Sequence, residues 1–239
     1  MSERRFSVVT GVFERVPDYR RAIVVGRRAR AADVESIREG LAAASAMRGS
    51  EPCAVTDVPT VRRWRRAYRA VGLDPTKARP AVEALIRRVR GGGAPSLGRA
   101  PIDVGTIVTL LAGVPVGVHV LDDVVADLTL DFATGEESFL TFRGERERPA
   151  PGELVWRAGE TILTRRWVHR QGLAGSVSDD SSLFAVNLDL LGDDDLDAAR
   201  ELLVHWLGVA GILVGDGVVL DRAHRSGTIA VLGSPRVRD

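Results

Sequence analysis

The sequence contains few of the residues on which covalent and metal chemistry depends. Of its 239 residues, one is a cysteine and four are histidines. The single cysteine, Cys53, excludes a disulfide within the chain and a zinc site built on cysteine ligands. No two histidines have the HExxH spacing of a zinc-binding helix. The composition therefore predicts neither a metal centre nor another cofactor.

Long apolar runs and common catalytic signatures are also missing. No stretch of about 18 apolar residues is present, so no transmembrane helix is predicted. Residues 1–5 are not followed by an apolar signal core, and we therefore expect a cytoplasmic protein. The sequence has no GxSxG, P-loop, GxGxxG or protein-kinase signature. Hydrophobic residues make up 45% of the chain and charged residues 27%, which is typical of a globular protein with one large domain or two small ones.

Lysine is nearly absent, so the positive charge of the chain lies on arginine. Lys77 is the only lysine. Residues 1–100 carry 21 Lys and Arg against 10 Asp and Glu, whereas residues 101–239 carry 12 against 22. A basic first half can attract a polyanion. Solvated arginines that merely reflect a GC-rich genome would explain the same pattern.

The first half of the chain is predicted to be mainly helical after two strands. Hydrophobic periodicity indicates strands over residues 6–13 and 21–25, and helices over residues 31–47, 60–71, 79–90 and 102–111. In the second of these helices one apolar stripe faces inward and the arginines lie on the other face. The stripe consists of Val61, Trp64, Tyr68 and Val71.

The second half is predicted to consist mainly of strands. Strand patterns cover residues 114–120, 127–132, 137–142, 153–157, 161–165, 183–190, 217–220 and 228–232. One more helix is predicted over residues 196–214, and the carboxylates of residues 193–195 suit its N-terminus. Because helices and strands are segregated rather than alternating, the predicted fold class is α+β. Strands at both chain ends can close one sheet, so we expect a single domain with a mixed or antiparallel sheet flanked by helices.

One segment, residues 163–172, combines cationic and aromatic side chains. Its polar and aromatic members are Arg165, Arg166, Trp167, His169, Arg170 and Gln171. Such a mixture suits a surface that holds something flat and anionic, and a nucleotide has both properties. The alternative is a half-buried strand in which the arginine stems reach out to water and Trp167 lies in the core.

The histidines differ in their sequence surroundings. His119 follows a glycine-containing strand and precedes two aspartates, so it is a candidate general base or orienting donor, or equally a hydrogen-bonded structural histidine. His169 belongs to the 163–172 segment and is a candidate for contact with a base or ribose. His205 is expected in the core because its helix is apolar, and His224 is expected to be exposed.

Several motifs together resemble the B3/B4 domain of the phenylalanyl-tRNA synthetase β-subunit. Residues 102–115, IDVGTIVTLLAGVP, are similar to a conserved stretch of that domain, and His119, Leu121 and Asp122 follow in a similar order. Free-standing proteins built from this module resemble the chain more closely, and the likeness covers roughly residues 10–220. The motifs that carry it are Trp64 to Tyr68, Gly72 to Pro75 with Arg79 and the helix around Glu83, and Arg165 to Trp167 with Arg170 and Gln171.

The resemblance implies a single B3/B4-like domain over residues 1–239 that hydrolyses the ester of a misacylated tRNA. An aminoacyl ester is already activated, so a positioned water and oriented donors can suffice. His119 is the implied catalytic residue, and the implied partner is the aminoacylated 3′ end of tRNA. The implied tRNA-binding residues are Arg65, Arg66, Arg79, Arg165, Arg166, Trp167, His169, Arg170 and Gln171.

The chain departs from the synthetase domain at one place that bears on its substrate. In the synthetase a small, glycine-rich loop lines the editing pocket, and here the bulky, cationic 163–172 segment takes that position. This departure puts the amino-acid specificity in question. A non-catalytic tRNA- or RNA-binding module and a binder of a small amino-acid derivative therefore remain as alternatives.

Overall fold

A computed structural model describes residues 2–124 and 126–231. The first half contains two strands and five helices: β1 (Ser2–Val8), α1 (Thr10–Arg15), β2 (Tyr19–Arg28), α2 (Val34–Gly49), α3 (Pro59–Ala70), α4 (Ala81–Arg90) and α5 (Ala100–Ala112). Eight strands follow, namely β3 (Val116–Val120), β4 (Leu128–Phe132), β5 (Ser138–Leu140), β6 (Arg146–Glu147), β7 (Leu154–Ala158), β8 (Thr161–Arg165), β9 (Arg170–Gln171) and β10 (Leu183–Leu191). The described part ends with α6 (Leu196–Val209), β11 (Ile212–Leu220) and β12 (Ser226–Val231).

The strands form two sheets rather than one. The larger sheet has the order β12-β1-β4-β7-β8-β5-β6, with β9 paired to β8, and it is mixed because β1–β4 and β5–β8 are parallel. The smaller sheet has the order β11-β2-β10-β3 and is antiparallel throughout. Strands from both ends of the described chain do pair, since β1 runs antiparallel to β12. The α+β class is confirmed.

The helices pack through the faces that the sequence periodicity indicates. Val61, Trp64, Tyr68 and Val71 of the predicted stripe are all buried. Nine residues of the helix α5 are buried. Most side chains of this helix are apolar, and it packs against α2, α4, α6 and β3. The helix α6 begins where the aspartates predicted, and the Asp195 carboxylate accepts a hydrogen bond from the Ala198 amide.

Two predicted boundaries are wrong. The strand predicted over residues 6–13 ends at Val8, and the chain turns into α1, which buries Val12 and Phe13. The helix predicted over residues 196–214 ends at Val209, because Gly211 adopts a positive φ of 75° and the chain returns as β11. A side chain at Gly211 would meet the carbonyl oxygen of Arg30 at 2.2 Å. The predicted last strand extends to residue 232, which lies outside the described residues.

Two further structural findings bear on possible sites. No helix in the described ranges is long and apolar enough to cross a membrane. Within the same ranges, histidine, cysteine, aspartate and glutamate side chains form no group of three or more that is placed to hold a metal ion.

Candidate functional site: a polar cavity and its arginine entrance

The smaller sheet brings together polar side chains from three separate strands. The pairing of β2 with β10 places Arg21 opposite Asp189, and the pairing of β3 with β10 places Gly117 opposite Asn187 and His119 opposite Ala185. Because side chains alternate between the faces of a sheet, residues 185, 187 and 189 share one face with their partners on both neighbouring strands. This register gathers Arg21, His119, Asn187 and Asp189 on one face.

A cavity of about 170 Å³ lies between this sheet face and the 163–172 segment. The start of α4 closes a third side through Ala81. His119 and the 163–172 segment therefore face the same space. The cavity is lined by Arg21, Ala81, Val116, Gly117, His119, Thr164, Trp167, Val168, His169, Gln171, Asn187 and Asp189.

A dense hydrogen-bond network holds the base of the cavity. Arg21 and Asp189 are both buried, and Arg21 donates from Nε to Oδ1 at 2.8 Å and from Nη2 to Oδ2 at 3.0 Å. The Tyr19 hydroxyl donates to the same Oδ1, and Asn187 Nδ2 donates to Oδ2 at 2.6 Å. Burial is the largest single influence and would lower the pKa of Arg21, but the charges and hydrogen bonds of Asp189 and Tyr19 together outweigh it and raise that pKa. The guanidinium therefore stays charged.

Three residues in the cavity wall have hydrogen-bonding atoms that no described residue satisfies. These buried atoms are Arg21 Nη1, His119 Nδ1 and Asn187 Oδ1. A buried polar group without a partner costs about 1–3 kcal/mol, and such groups are uncommon in folded proteins. Their presence in the wall of one cavity makes it a candidate site for a polar ligand or for ordered water.

His119 is buried and uncharged. Burial, followed by the nearby charge of Arg21, lowers its pKa from 6.5 to about 3. At neutral pH the ring is therefore a neutral imidazole, which can accept or donate a hydrogen bond but has no imidazolium proton to give. Its ring centre lies 6.3 Å from that of Trp156.

Because Gly117 has no side chain, the Asn187 amide can lie in the space beside it. A Cβ atom at position 117 would lie 2.6 Å from Asn187 Oδ1 and 3.1 Å from Nδ2. The first distance is shorter than any real contact of a Cβ atom, so a larger residue would displace the amide that bonds Asp189. The close approach of Asn187 thus explains a glycine at this position of the strand.

Trp167 is part of the core rather than of the surface. Its indole is fully buried, lies edge-on to the rings of Tyr19 and Trp64 at 5.2 and 5.0 Å between centres, and stacks on Tyr68 at 5.7 Å. A nucleotide base approaching from outside finds no free face of this ring. The tRNA-binding role predicted for Trp167 is therefore not open to the face of this ring in this arrangement, and the residue instead belongs to the cavity wall.

The backbone at Arg166 and Trp167 is strained. Both residues have positive φ, 52° and 65°, which side chains rarely tolerate. The Trp167 amide donates to the Leu154 carbonyl at 2.7 Å, and the Tyr68 hydroxyl donates to the Arg166 carbonyl at 3.0 Å. These bonds and the packed indole hold the segment in this shape.

Arg165 is committed to an internal ion pair. It donates from Nε and Nη2 to the two carboxylate oxygens of Glu153 at 2.7 and 2.8 Å, and from Nη1 to Glu147 at 2.6 Å. The hydrogen bond to Glu153 raises its pKa. Arg170 shares Glu147 at 2.9 and 3.1 Å, but it remains partly exposed. The predicted phosphate-binding role is thus not open to Arg165 while these bonds hold.

His169 lies at the entrance of the cavity among three arginines. Its Nδ1 atom is 2.8 Å from the carbonyl oxygen of Arg79. Burial lowers the pKa of His169, the bond to Arg79 opposes this, and the charges of Arg166, Arg170 and Arg79 lower the pKa further. We call Arg79, Arg166 and Arg170 the arginine entrance. Beside it, Gln171 Nε2 donates to the Val118 carbonyl at 2.9 Å and ties the segment to β3.

The arginines of α3 divide into paired and unpaired groups. Arg65 donates to Glu83, a buried carboxylate, at 2.9 Å. Arg66 and Arg69 are exposed and form no ion pair with any described residue. They line a shallow groove of about 670 Å³ with other arginines of the same helix. Arg66 therefore offers free charge to a partner, whereas Arg65 does not.

A second, larger cavity also contacts Leu163, but the buried polar atoms of its described lining residues have hydrogen-bond partners. Its volume is about 510 Å³. The Asp122 carboxylate on its rim accepts from the amides of Ser182 and Leu183 at 2.9 and 3.1 Å. None of its lining residues has an unpartnered buried polar atom within the described ranges. We therefore place the candidate site in the smaller cavity.

Sequence reasoning missed three members of the site and misplaced one histidine. Arg21, Asn187 and Asp189 interrupt strands that otherwise read as buried and apolar, and that interruption is the available signal. His205, expected in the core, is exposed on α6. His224 is exposed, as expected.

Comparison with known proteins identifies the family. The model of the B3/4 domain matches residues 63–193, which is more than half of the chain. The protein belongs to the B3/4 domain family. Most of the cavity lining lies inside the matched region, and Arg21 lies outside it.

One solved structure shows how far the likeness extends. The chain is similar to an N-terminal fragment of the phenylalanyl-tRNA synthetase β-subunit from Pyrococcus horikoshii, with 11% sequence identity and a TM-score of 0.44. The alignment covers 87% of this chain and 49% of that one, so the chain spans about half the length of its structural relative. No curated protein matches the chain.

Proposed function

We propose that this chain, as one domain over residues 1–239, hydrolyses the ester bond of an aminoacyl-tRNA. One observation carries the proposal: His119, Arg21 and Asn187 in the wall of one small cavity each have an unsatisfied buried hydrogen-bonding atom, and the charges of three arginines act on His169 in the same wall. The resemblance to the editing module of phenylalanyl-tRNA synthetases supplies the reaction class.

Two polar atoms in the cavity wall are complementary to the α-ammonium group and the ester carbonyl oxygen of an aminoacyl group. Asn187 Oδ1 is a free acceptor, because the Nδ2 side of the amide is held by Asp189, and it suits the α-ammonium group. Arg21 Nη1 is a free cationic donor and suits the ester carbonyl oxygen. A ligand that carries both groups would satisfy both residues.

Hydrolysis in this setting needs no covalent enzyme intermediate. A water molecule adds to the ester carbonyl carbon, and the carbonyl oxygen gains negative charge that Arg21 would stabilise. The bond from carbon to the ribose oxygen then breaks, the ribose oxygen takes the proton that the attacking water releases, and the free amino acid and the tRNA hydroxyl are released. His119, neutral at pH 7, would orient the attacking water through a ring nitrogen.

The arginine entrance suits the nucleic-acid end of the substrate. Arg79, Arg166 and Arg170 are close enough to His169 in the cavity wall for their charges to act on it, and arginine binds phosphate through two parallel hydrogen bonds. His169 at the same place is positioned for the terminal ribose. The unpaired arginines of α3 would add contacts to the phosphate backbone.

A second candidate function is binding, without catalysis, of a small amino-acid derivative. The observation in its favour is the pKa of His119, about 3, which makes the imidazole a weak base. In that case the same cavity would hold the ligand, and no ester would be cleaved.

Deacylation of a panel of mischarged tRNAs tests the proposal. We expect release of at least one amino acid, a loss of about 100-fold or more in His119→Ala, and weaker activity in Arg166→Ala. His224→Ala, which alters an exposed histidine away from the cavity, is the matched control and should retain wild-type activity. If no tRNA is deacylated above the buffer rate, the hydrolase proposal fails, and tRNA binding without cleavage would favour a binding module.

A further inference from the structure

The cavity is small for an aminoacyl site. Its volume of about 170 Å³ holds about six water molecules at roughly 30 Å³ each. A cavity of about 150 Å³ holds one benzene-sized molecule, which has about six non-hydrogen atoms. The amino nitrogen, the α-carbon and the ester carbonyl of an aminoacyl group account for about four of these. The side chain of glycine, alanine or serine can enter together with them, whereas an aromatic side chain cannot.

Trp167 fixes one wall of this space. Trp167 is one of the residues that line the cavity, and its buried indole packs against Tyr19, Trp64 and Tyr68, with ring centres within 5.7 Å. Three packed rings leave it no alternative rotamer without opening the core. The backbone bonds at residues 166 and 167 hold the segment as well. The wall is therefore rigid, and a larger substrate cannot push it aside at low cost.

We infer that Trp167 restricts this site to small aminoacyl groups, those of glycine, alanine and serine, and excludes aromatic ones. The inference rests on the proposed function for its reaction, but it depends on the shape of the cavity alone. Trp167 acts here as a specificity-determining residue, because it occupies the volume that a larger side chain would need.

The test uses one tRNA charged by an acylating ribozyme with alanine, serine, valine, phenylalanine or tyrosine, so that only the amino acid changes. We expect the full-length wild-type protein to deacylate the alanyl ester more than about 100-fold faster than the tyrosyl ester, since the excluded ring is far larger than one methylene. Trp167→Phe should lower the rate ratios of alanyl to valyl and of alanyl to phenylalanyl deacylation, because it accelerates cleavage of the two larger esters. Val168→Ala, which widens the same wall with less loss of packing, should act in the same direction if Trp167→Phe does not fold.

Trp64→Phe is the matched control. Trp64 belongs to the same ring cluster and is equally buried, but it does not line the cavity. The Trp64→Phe variant should lose about as much stability as Trp167→Phe and keep the wild-type preference for small aminoacyl groups. A shift as large as that of Trp167→Phe would overturn the assignment to Trp167, and so would a failure of both widening variants to broaden the preference.

A binding arm separates this inference from the proposed function. The probes are terminal adenosines that carry alanine or tyrosine through a non-hydrolysable 3′-amide, titrated by calorimetry. Binding of the alanyl probe alone, without cleavage of any ester, would reject the hydrolase and keep the size restriction. Equal cleavage of alanyl and tyrosyl esters would reject the restriction and keep the hydrolase. If neither probe binds and no ester is cleaved, both are rejected.

Discussion

Arginines in the cavity wall and arginines on α3 present the same side chain in two different electrostatic settings. Arg21 is buried, bonded twice to a buried carboxylate and stacked over Trp156, with 4.3 Å from the guanidinium carbon to the ring centre. Arg66 is exposed and has no ion-pair partner among the described residues. Arg21 therefore has one nitrogen, Nη1, left without a partner among the described residues, whereas Arg66 offers an exposed charge to solvent.

The difference shows why counting arginines is a poor guide to a nucleic-acid surface. Arg165 belongs to the most cationic segment of the sequence, yet Glu153 and Glu147 occupy its donors. A charge that is neutralised internally contributes little to long-range attraction of a polyanion. Arg66 and Arg69 on α3 are exposed arginines without an ion-pair partner among the described residues.

The largest expected effect follows from breaking the buried pair. Arg21→Met leaves the Asp189 carboxylate buried without its cation, and we expect a loss of about 3–5 kcal/mol in the free energy of unfolding. The matched surface change, Arg66→Met, should alter it by less than about 0.5 kcal/mol. Urea denaturation of both variants measures the contrast. Equal stabilities would mean that Arg21 is not buried in the way described.

A smaller effect is expected from filling the space beside Asn187. Gly117→Ala forces a Cβ atom against the Asn187 amide, and overpacking of this kind costs about 1–3 kcal/mol. Gly208→Ala in α6 meets no atom within 4 Å and should be neutral or stabilising by up to about 1 kcal/mol. Thermal unfolding of the two variants distinguishes a crowded glycine from a free one, and a neutral Gly117→Ala would contradict the packing.

The third prediction concerns pH. The pKa of His119 is about 3 in the folded chain against an ordinary value of 6.5, so below pH 6.5 the unfolded chain binds a proton that the folded chain does not. Stability is therefore lost as the pH falls from 6.5 towards 3, and is unaffected by this group above 6.5. At pH 5.5 the loss should be about 1.4 kcal/mol.

The measurement is the stability difference between wild type and His119→Gln, determined by urea denaturation at about pH 7.5 and pH 5.5. The variant lacks the titrating ring, so the change to pH 5.5 should destabilise the wild type by about 1.4 kcal/mol more than the variant. A difference that stays constant would show that His119 is solvated.

The smallest effect on stability is expected from replacing the unpaired arginines of α3, since these residues should affect tRNA binding instead. Replacing Arg66 and Arg69 together by alanine should reduce the slope of log affinity for tRNA against log salt concentration by about 1.5 to 2, close to one for each lost phosphate contact. Arg38→Ala removes an exposed arginine that is paired with Glu35 on α2, and it should leave the slope unchanged. An identical slope in the double variant would remove α3 from the binding surface.

The helices and most strands were predictable because each depends on a local pattern. The stripe of α3 and the aspartates before α6 are signals within a few residues of one another, and both are confirmed. The boundary at Val209 was missed although Gly211 marks it, since an apolar run continues through Val214 and imitates a helix. The division into two sheets has no local signature, because strand pairing joins residues that are far apart in sequence.

The sequence by itself determined the α+β class, the resemblance to the B3/B4 domain and the presence of an unusual cationic segment. Tertiary structure alone decided which of those cations are free, because ion pairing depends on where Glu147 and Glu153 lie in space. It also decided that Arg21, His119 and Asn187 meet, since the register of three strands brings together residues that no motif connects. A buried charge acquires its chemistry from neighbours that are distant along the chain, and for that reason the candidate site appears only after folding.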